Sequence, residues 1–326
     1  MREQFTFSQF NFEMSAVDEL HLPEYKGSTL RGAFGHAFKK VVCALRNREC
    51  RECILKERCV YSYVFETPPP ADTTMMRKYP AAPHPFVILP PVEDTRVYRK
   101  GENFAFILTL IGRATEYIPY FIYTFNELGN MGIGKGRGKC ELKRICTFNN
   151  GSNDGCTEVY RGDGAIQKTA YQVSSWATVV DKAKYLNKHE VTLVFQTPTR
   201  IKYQEDLVLD LEFHMLVRSL LRRISTLSYF HCGSELQVDF KHLIRDAEEV
   251  ETKKRSLTWQ DWERYSNRQE TKMKMGGFVG EITFQGELEQ FLPFIALGEY
   301  IHVGKGTSFG LGKYEIKTCK TASLQV

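Results

Sequence analysis

Residues 132–145 read GIGKGRGKCELKRI, and residues 302–317 read HVGKGTSFGLGKYEIK. The two segments align over Gly136-Arg-Gly-Lys-Cys-Glu-Leu and Gly310-Leu-Gly-Lys-Tyr-Glu-Ile. Each follows an apolar helical stretch that ends on Leu-Gly (residues 118–129 and 291–298), and each runs on into an alternating strand pattern. A chain carrying one compound motif twice is built as two copies of one unit. The fold class is thereby restricted to a duplicated α+β architecture.

The rest of each half supports this reading. In the first, residues 5–14 alternate as a strand, 28–45 show a helical period, 86–89 and 103–111 read as strands, and 114–128 as a second helix before the glycines and the closing strand. That order is β-α-β-β-α-β, the ferredoxin-like or RRM-like unit. In the second, a helix over 174–186, a strand over 189–195, a long helix over 207–227, a strand over 277–285, a helix around 288–296 and a strand over 313–318 make a less regular version with an insertion. Polar, turn-rich sequence at 148–165 divides the halves, so the expected domains are 1–150 and 151–326, each with a glycine-rich loop near its end. With 326 residues and 42% hydrophobic content, the chain fills two ordinary cores. The longest apolar runs fall short of a membrane span, and no charged-then-apolar leader is read at the start. The expectation is a soluble, cytoplasmic protein. A net charge of +5 permits a polyanionic partner without requiring one.

Glycine backbones approach phosphate and sugar closely, and their N–H groups then donate to anions. Gly304, Gly306, Gly310 and Gly312, with Lys305, Lys313 and the hydroxyls of Thr307 and Ser308, are candidates for contact with a phosphate backbone. So are Lys135, Arg137 and Lys139 in the other copy. A strand rather than a helix follows the glycines, and the spacing is not that of a dinucleotide loop. At 100° per residue, Leu30, Phe34, Ala37, Phe38, Val41 and Leu45 share the core face of the first helix, leaving His36 on the wet face with Gly32, Lys39 and Lys40. Histidine titrates near neutrality and moves protons, while a lysine one turn on stabilises charge developing on a phosphate. In the second half, Arg200 and Lys202 precede a helix with Arg218 and Arg222 stacked at i and i+4, a basic stripe suited to phosphates. Arg264, Arg268, Lys272 and Lys274 surround Tyr265, an aromatic suited to stacking on an unpaired base. Each basic group has a plain alternative as a solvated surface.

Nine cysteines in a chain read as cytoplasmic argue for thiols or a metal rather than disulfides. Cys43, Cys50, Cys53 and Cys59 form C-x6-C-x2-C-x5-C in a charged insertion over about 43–60. Four thiolates so close suit one structural zinc, with free thiols as the alternative.

The ordered set LRGAFGHAFKK (30–40), FQTPTRIK (195–202), LLRRIS (220–225), RYSNRQ (264–269) and GGFVGEITFQG (276–286), with both glycine segments, resembles the CRISPR-associated endoribonucleases of the RAMP superfamily that process precursor CRISPR RNA. The resemblance implies two ferredoxin-like domains and metal-independent cleavage of a CRISPR repeat RNA, with a ribose 2′-OH attacking the adjacent phosphate to leave a 5′-hydroxyl and a 2′,3′-cyclic phosphate. It makes His36 the leading catalytic candidate with Lys40, His302 its competitor, and Tyr25, just ahead of the helix, a group to orient the 2′-OH. No cofactor is implied for catalysis. The principal rival is a non-catalytic RAMP subunit that binds guide RNA in an effector complex. A zinc-dependent interaction module would explain the cysteines alone.

Overall fold

The computed structural model describes residues 5–45, 49–70, 72–77, 79–148, 156–162, 171–266 and 271–317. The chain forms two compact units: 1–176 with 225–236 and 308–310, and 177–224 with 237–307 and 311–326. In the first unit, β1 (Thr6–Ala16), α1 (Gly27–Val42), β2 (Phe86–Leu89), β3 (Asn103–Ile111), α2 (Ile118–Met131), β4 (Cys140–Phe148) and β5 (Cys156–Arg161) follow one another. The sheet runs in the order β2-β3-β1-β4-β5 with every neighbouring pair antiparallel, and Ser174–Ser175 pairs with the start of β1.

Alternation along β1 sends Phe10, Phe12 and Met14 into the core, where α1 and α2 cover the sheet. Phe34 of α1 stacks on Phe121 and Phe125 of α2 at centroid distances of 5.1 and 5.4 Å, and Phe12 meets Phe125 at 5.0 Å. Such pairs add about 0.5–1.5 kcal/mol each beyond their buried area. Pro119 opens α2, where its fixed φ and missing N–H cost nothing.

Lying wholly or mostly in the second unit are α3 (Trp176–Ala183), β6 (Glu190–Thr199), α4 (Phe213–His231), whose residues from Ser225 on are counted with the first unit, α5 (Phe240–Glu248), β7 (Glu251–Gln260), β8 (Glu263–Ser266), β9 (Thr271–Lys274), β10 (Gly277–Gln285), α6 (Leu292–Ile301) and β11 (Tyr314–Ile316). Its main sheet is β7-β10-β6-β11, again antiparallel throughout, while β8 and β9 pair as a separate hairpin. Taken as β6-α4-β7-β10-α6-β11, this is the same βαββαβ unit in the same strand order as the first. The fold is two ferredoxin-like domains in tandem. Leu216, Leu220 and Ile224 bury one face of α4, and Phe213 packs edge-on against Phe284 and Phe291. The long helix begins at Phe213 rather than 207, because Lys202–Tyr203 and Asp206–Leu207 form a small antiparallel ladder turned by Gln204 and Glu205, both at positive φ. Among the described residues, no helix is long and apolar enough to cross a membrane.

Candidate nucleic-acid interface

The two glycine segments are one turn built twice. Ile133 and Val303 each donate their N–H back across the turn, to Gly138 O at 2.9 Å and to Gly312 O at 3.0 Å. Lys135 and Lys305 each donate their N–H to a strap of their own unit, to His21 O and Arg200 O, both at 2.9 Å. Gly134 and Gly304 lie at φ +73° and +82°, and Gly136 and Gly306 at +83° and +77°. From 136 to 138 is two steps and from 306 to 312 is six, so the second copy holds four more residues. Ser308–Gly310 fall within that extension, and they belong to the first unit.

In the second unit the turn gathers cations. The Lys305 ammonium is pushed below its ordinary range by burial first, and then by Lys202, Arg200 and Arg222, with Glu205 opposing. Arg200 is likewise lowered by burial. Lys202 faces Glu205 at 3.5 Å, and Arg222 is exposed. Arg218, one turn before Arg222, pairs with Glu248 at 2.9 Å and also donates Nε to His214 Nδ1 at 3.3 Å. Arg223 is buried and donates Nε to Ile301 O at 2.8 Å, so it belongs to the scaffold. Thr307, Ser308, Gly310 and Gly312 are buried, and the Ser308 hydroxyl accepts from Arg31 Nε at 3.0 Å. In the other copy Lys135, Arg137 and Lys139 are exposed. Arg264 lies in β8 opposite Met273, and Arg268 falls outside the described residues.

On α1, Leu30, Phe34, Ala37 and Phe38 are buried while Gly32, His36 and Lys40 are exposed, the facing that the helical period predicts. Lys40 Nζ donates to Glu127 Oε1 of α2 at 2.5 Å. Lys39 is half-buried, its ammonium 5.9 Å from the Tyr61 ring centroid. The Tyr25 hydroxyl donates to Phe309 O at 2.8 Å, and burial raises its pKa, holding the phenol protonated. His302 ends α6 at φ +62°, is 2% exposed, and brings Nδ1 within 3.1 Å of Leu311 O. It fills the place that Gly132, at φ +77°, fills at the end of α2.

Cys43, Cys50, Cys53 and Cys59 are all half-buried thiols. Burial raises the Cys50 pKa, Lys39 opposes that, and Cys43 and Cys59 are close enough to add to it. Among the described residues, no three His, Cys, Asp or Glu side chains stand together to hold a metal.

Two residues of the first unit, absent from the candidates drawn from the sequence, meet at the 308–310 segment. Arg31 of α1 donates Nε to the Ser308 hydroxyl, and His84 Nε2 lies 2.8 Å from one of its terminal guanidinium nitrogens. A lone arginine inside LRGAF and a histidine between two prolines carry no spacing signal of their own.

A family model for an N-terminal domain matches residues 5–171, and the model for CRISPR-associated endoribonuclease Cas6 matches residues 193–314. No curated protein matches the sequence. Among solved structures, a Cas6 product complex superposes with a TM-score of 0.59 at 17% identity over 95% of this chain and 100% of that one. The Cas6 of Thermus thermophilus gives 0.55 at 15% identity over 96% and 99%. A partial Cas6-RT-Cas1–Cas2 complex gives 0.61 at 13% identity over 99% of this chain, which spans only 48% of that longer one. At these identities the superpositions establish the fold.

Proposed function

The chain belongs to the family of CRISPR-associated endoribonucleases of the RAMP superfamily that process precursor CRISPR RNA, and we propose that it binds the repeat of such a transcript and cuts it by internal transesterification. The observation that carries the reading is the cation cluster of Arg200, Lys202, Arg222 and Lys305 around a glycine turn. The charges of Lys202, Arg200 and Arg222 add to burial in lowering the proton affinity of Lys305, so the charged Lys305 is unfavourable where it stands, a cost that a polyanion removes.

His36 is the proposed proton-transfer group. It is exposed on a helix whose opposite face is core, whereas His302 is sealed inside its turn. The ribose 2′-oxygen attacks the adjacent phosphorus as its proton leaves, the bond from phosphorus to the 5′-oxygen breaks, and a proton returns to that oxygen. His36 takes or returns that proton, and Lys40 offsets the developing charge once phosphate displaces Glu127. Because the nucleophile is the substrate's own hydroxyl, no metal-bound water is required. Tyr25, with its hydroxyl on Phe309 O, holds the segment rather than moving a proton. Delivery of the product to a CRISPR effector complex is part of the same proposal.

The test is cleavage of the cognate repeat in excess EDTA by wild type and His36→Ala, with binding measured alongside and a 2′-deoxy substitution at the cut site as control. The expected result is cleavage by wild type, resistance of the deoxy substrate, and a loss of about 10²–10⁴-fold in His36→Ala with binding retained. A wild type that binds and never cuts favours the guide-binding subunit instead.

A further inference from the structure

The Arg31 side chain leaves α1 less than two turns before His36 and ends in a sandwich. Its guanidinium carbon lies 4.6 Å from the Phe65 ring centroid and 4.4 Å from that of Phe309. Nε donates to Ser308 Oγ at 3.0 Å, and a terminal nitrogen meets His84 Nε2 at 2.8 Å. Arginine has no acceptor, so His84 Nε2 accepts and its proton sits on Nδ1. That Nδ1 lies 3.2 Å from Thr67 Oγ1, which itself donates to Ala82 O at 2.9 Å. Each donor in the chain Arg31, His84, Thr67, Ala82 thus has one direction, and a flat guanidinium with fixed forks is held in a single pose.

The same short segment is gripped twice more. Tyr25 donates to Phe309 O at 2.8 Å, and a Cβ added to Gly27 would stand 2.0 Å from that oxygen. The entry and first turn of α1 are therefore locked to Ser308–Phe309, part of the four-residue extension that the other glycine turn lacks. All of these residues lie in the first unit, as does His36.

We infer that Arg31, oriented by His84, is a positioning residue for the proposed cleavage: it clamps Ser308 and Phe309 against the start of α1 and so sets where that helix presents His36. The inference rests on the ribonuclease reading. A displacement of about 1 Å at a reacting group costs on the order of 100-fold in rate, so a clamp of this kind is felt in the chemical step rather than in RNA affinity.

The test is single-turnover cleavage of the repeat RNA over a range of enzyme concentrations, giving a maximal rate and a half-saturation separately, for wild type, Arg31→Ala, Arg31→Lys, Ser308→Ala, His84→Leu and His84→Gln. Thermal midpoints are recorded for each. Arg31→Ala and His84→Leu are expected to lose at least tenfold in maximal rate with half-saturation within threefold of wild type. Arg31→Lys, which cannot hold both forks, stays near the Ala value. His84→Gln restores most of what His84→Leu loses, because its amide oxygen supplies an acceptor to the guanidinium.

If the variants lose binding and rate in proportion to their thermal midpoints, Arg31 is only a packing residue and the inference falls. Should Arg31→Ala fail to fold, Ser308→Ala and the His84 pair decide, and wild-type maximal rates in all three overturn it. A wild type that never cuts removes the ribonuclease reading and this inference with it, whereas a wild type that cuts alongside fully active Arg31→Ala removes the inference alone.

Discussion

Lys135 and Lys305 occupy the same place in two copies of one turn, each with its N–H on a strap carbonyl at 2.9 Å, His21 O for one and Arg200 O for the other. Their surroundings differ. Lys305 stands among Arg200, Lys202 and Arg222, and those charges lower its proton affinity. A phosphate backbone gains most where cations are already crowded, so Lys305→Ala is expected to weaken repeat binding more than Lys135→Ala. Binding isotherms at several salt concentrations would show the slope of log K against log salt falling by roughly one for each phosphate contact removed. Equal slopes for wild type and Lys305→Ala would take this lysine out of the interface.

The glycines of the two turns separate conformational from steric demand. Gly136 lies at φ +83° with nothing within 4 Å of an added Cβ, whereas Gly304 lies at φ +82° with Arg200 O only 2.4 Å from one. Gly136→Ala should therefore cost only the left-handed backbone penalty, about 1 kcal/mol. Gly304→Ala must also push the Arg200 strap away, so a larger cost, about 2–4 kcal/mol, is expected together with loss of RNA affinity. Denaturant melts of the two variants check the difference, and equal melts would mean that the strap yields freely.

Lys40 is engaged by Glu127 of α2, across a surface pair worth under about 1 kcal/mol. Glu127→Gln frees the ammonium and leaves stability within that margin. The expected outcome is unchanged or faster cleavage and tighter binding at low salt, while Lys40→Ala slows the chemical step. If Glu127→Gln slows cleavage as much as Lys40→Ala does, the pair itself is what the reaction needs.

Elements with a strong period were legible in the sequence. β2, β3 and β10 fall on residues 86–89, 103–111 and 277–285 as read: β2 is a short apolar run buried along its whole length, β3 alternates where it begins, and β10 is apolar at most of the positions it buries. β7 was not, because ETKKRSLTWQ is an edge strand whose residues are mostly exposed, and charge on an edge guards against stray pairing without leaving an apolar pattern. β5 lay hidden in a turn-rich stretch for a related reason: Cys156 to Glu158 are not buried, and register against β4 holds them. At the site, the helical period placed His36 and Lys40 correctly on the wet face of α1. It carried no information on Glu127, which arrives from α2, or on the clamp of Arg31 and His84, whose partners lie 53 and 277 residues away from Arg31. Burial of Ser308 and His302 was equally invisible, since a glycine-rich segment reads as open loop until its long-range partners are known.

Crowded cations leave a mark on stability as well as on binding. Burial and its cationic neighbours hold the Lys305 pKa below the ordinary lysine value, so the folded protein binds this proton less tightly than the unfolded chain does. Whatever stability the shift contributes is present above the unfolded value and is lost as pH falls through the folded one, so at neutral pH the charged Lys305 opposes folding. Lys305→Met keeps the aliphatic stem and removes the charge. Its thermal midpoint is expected to equal or exceed that of wild type at pH 7, with the advantage shrinking as pH climbs into the lysine range and the wild-type ammonium is discharged. The same substitution lowers repeat affinity, so stability and binding move in opposite directions. A Lys305→Met protein that melts well below wild type at pH 7 would show that the ammonium holds the turn together, and the cluster would then be scaffold rather than a seat for phosphate.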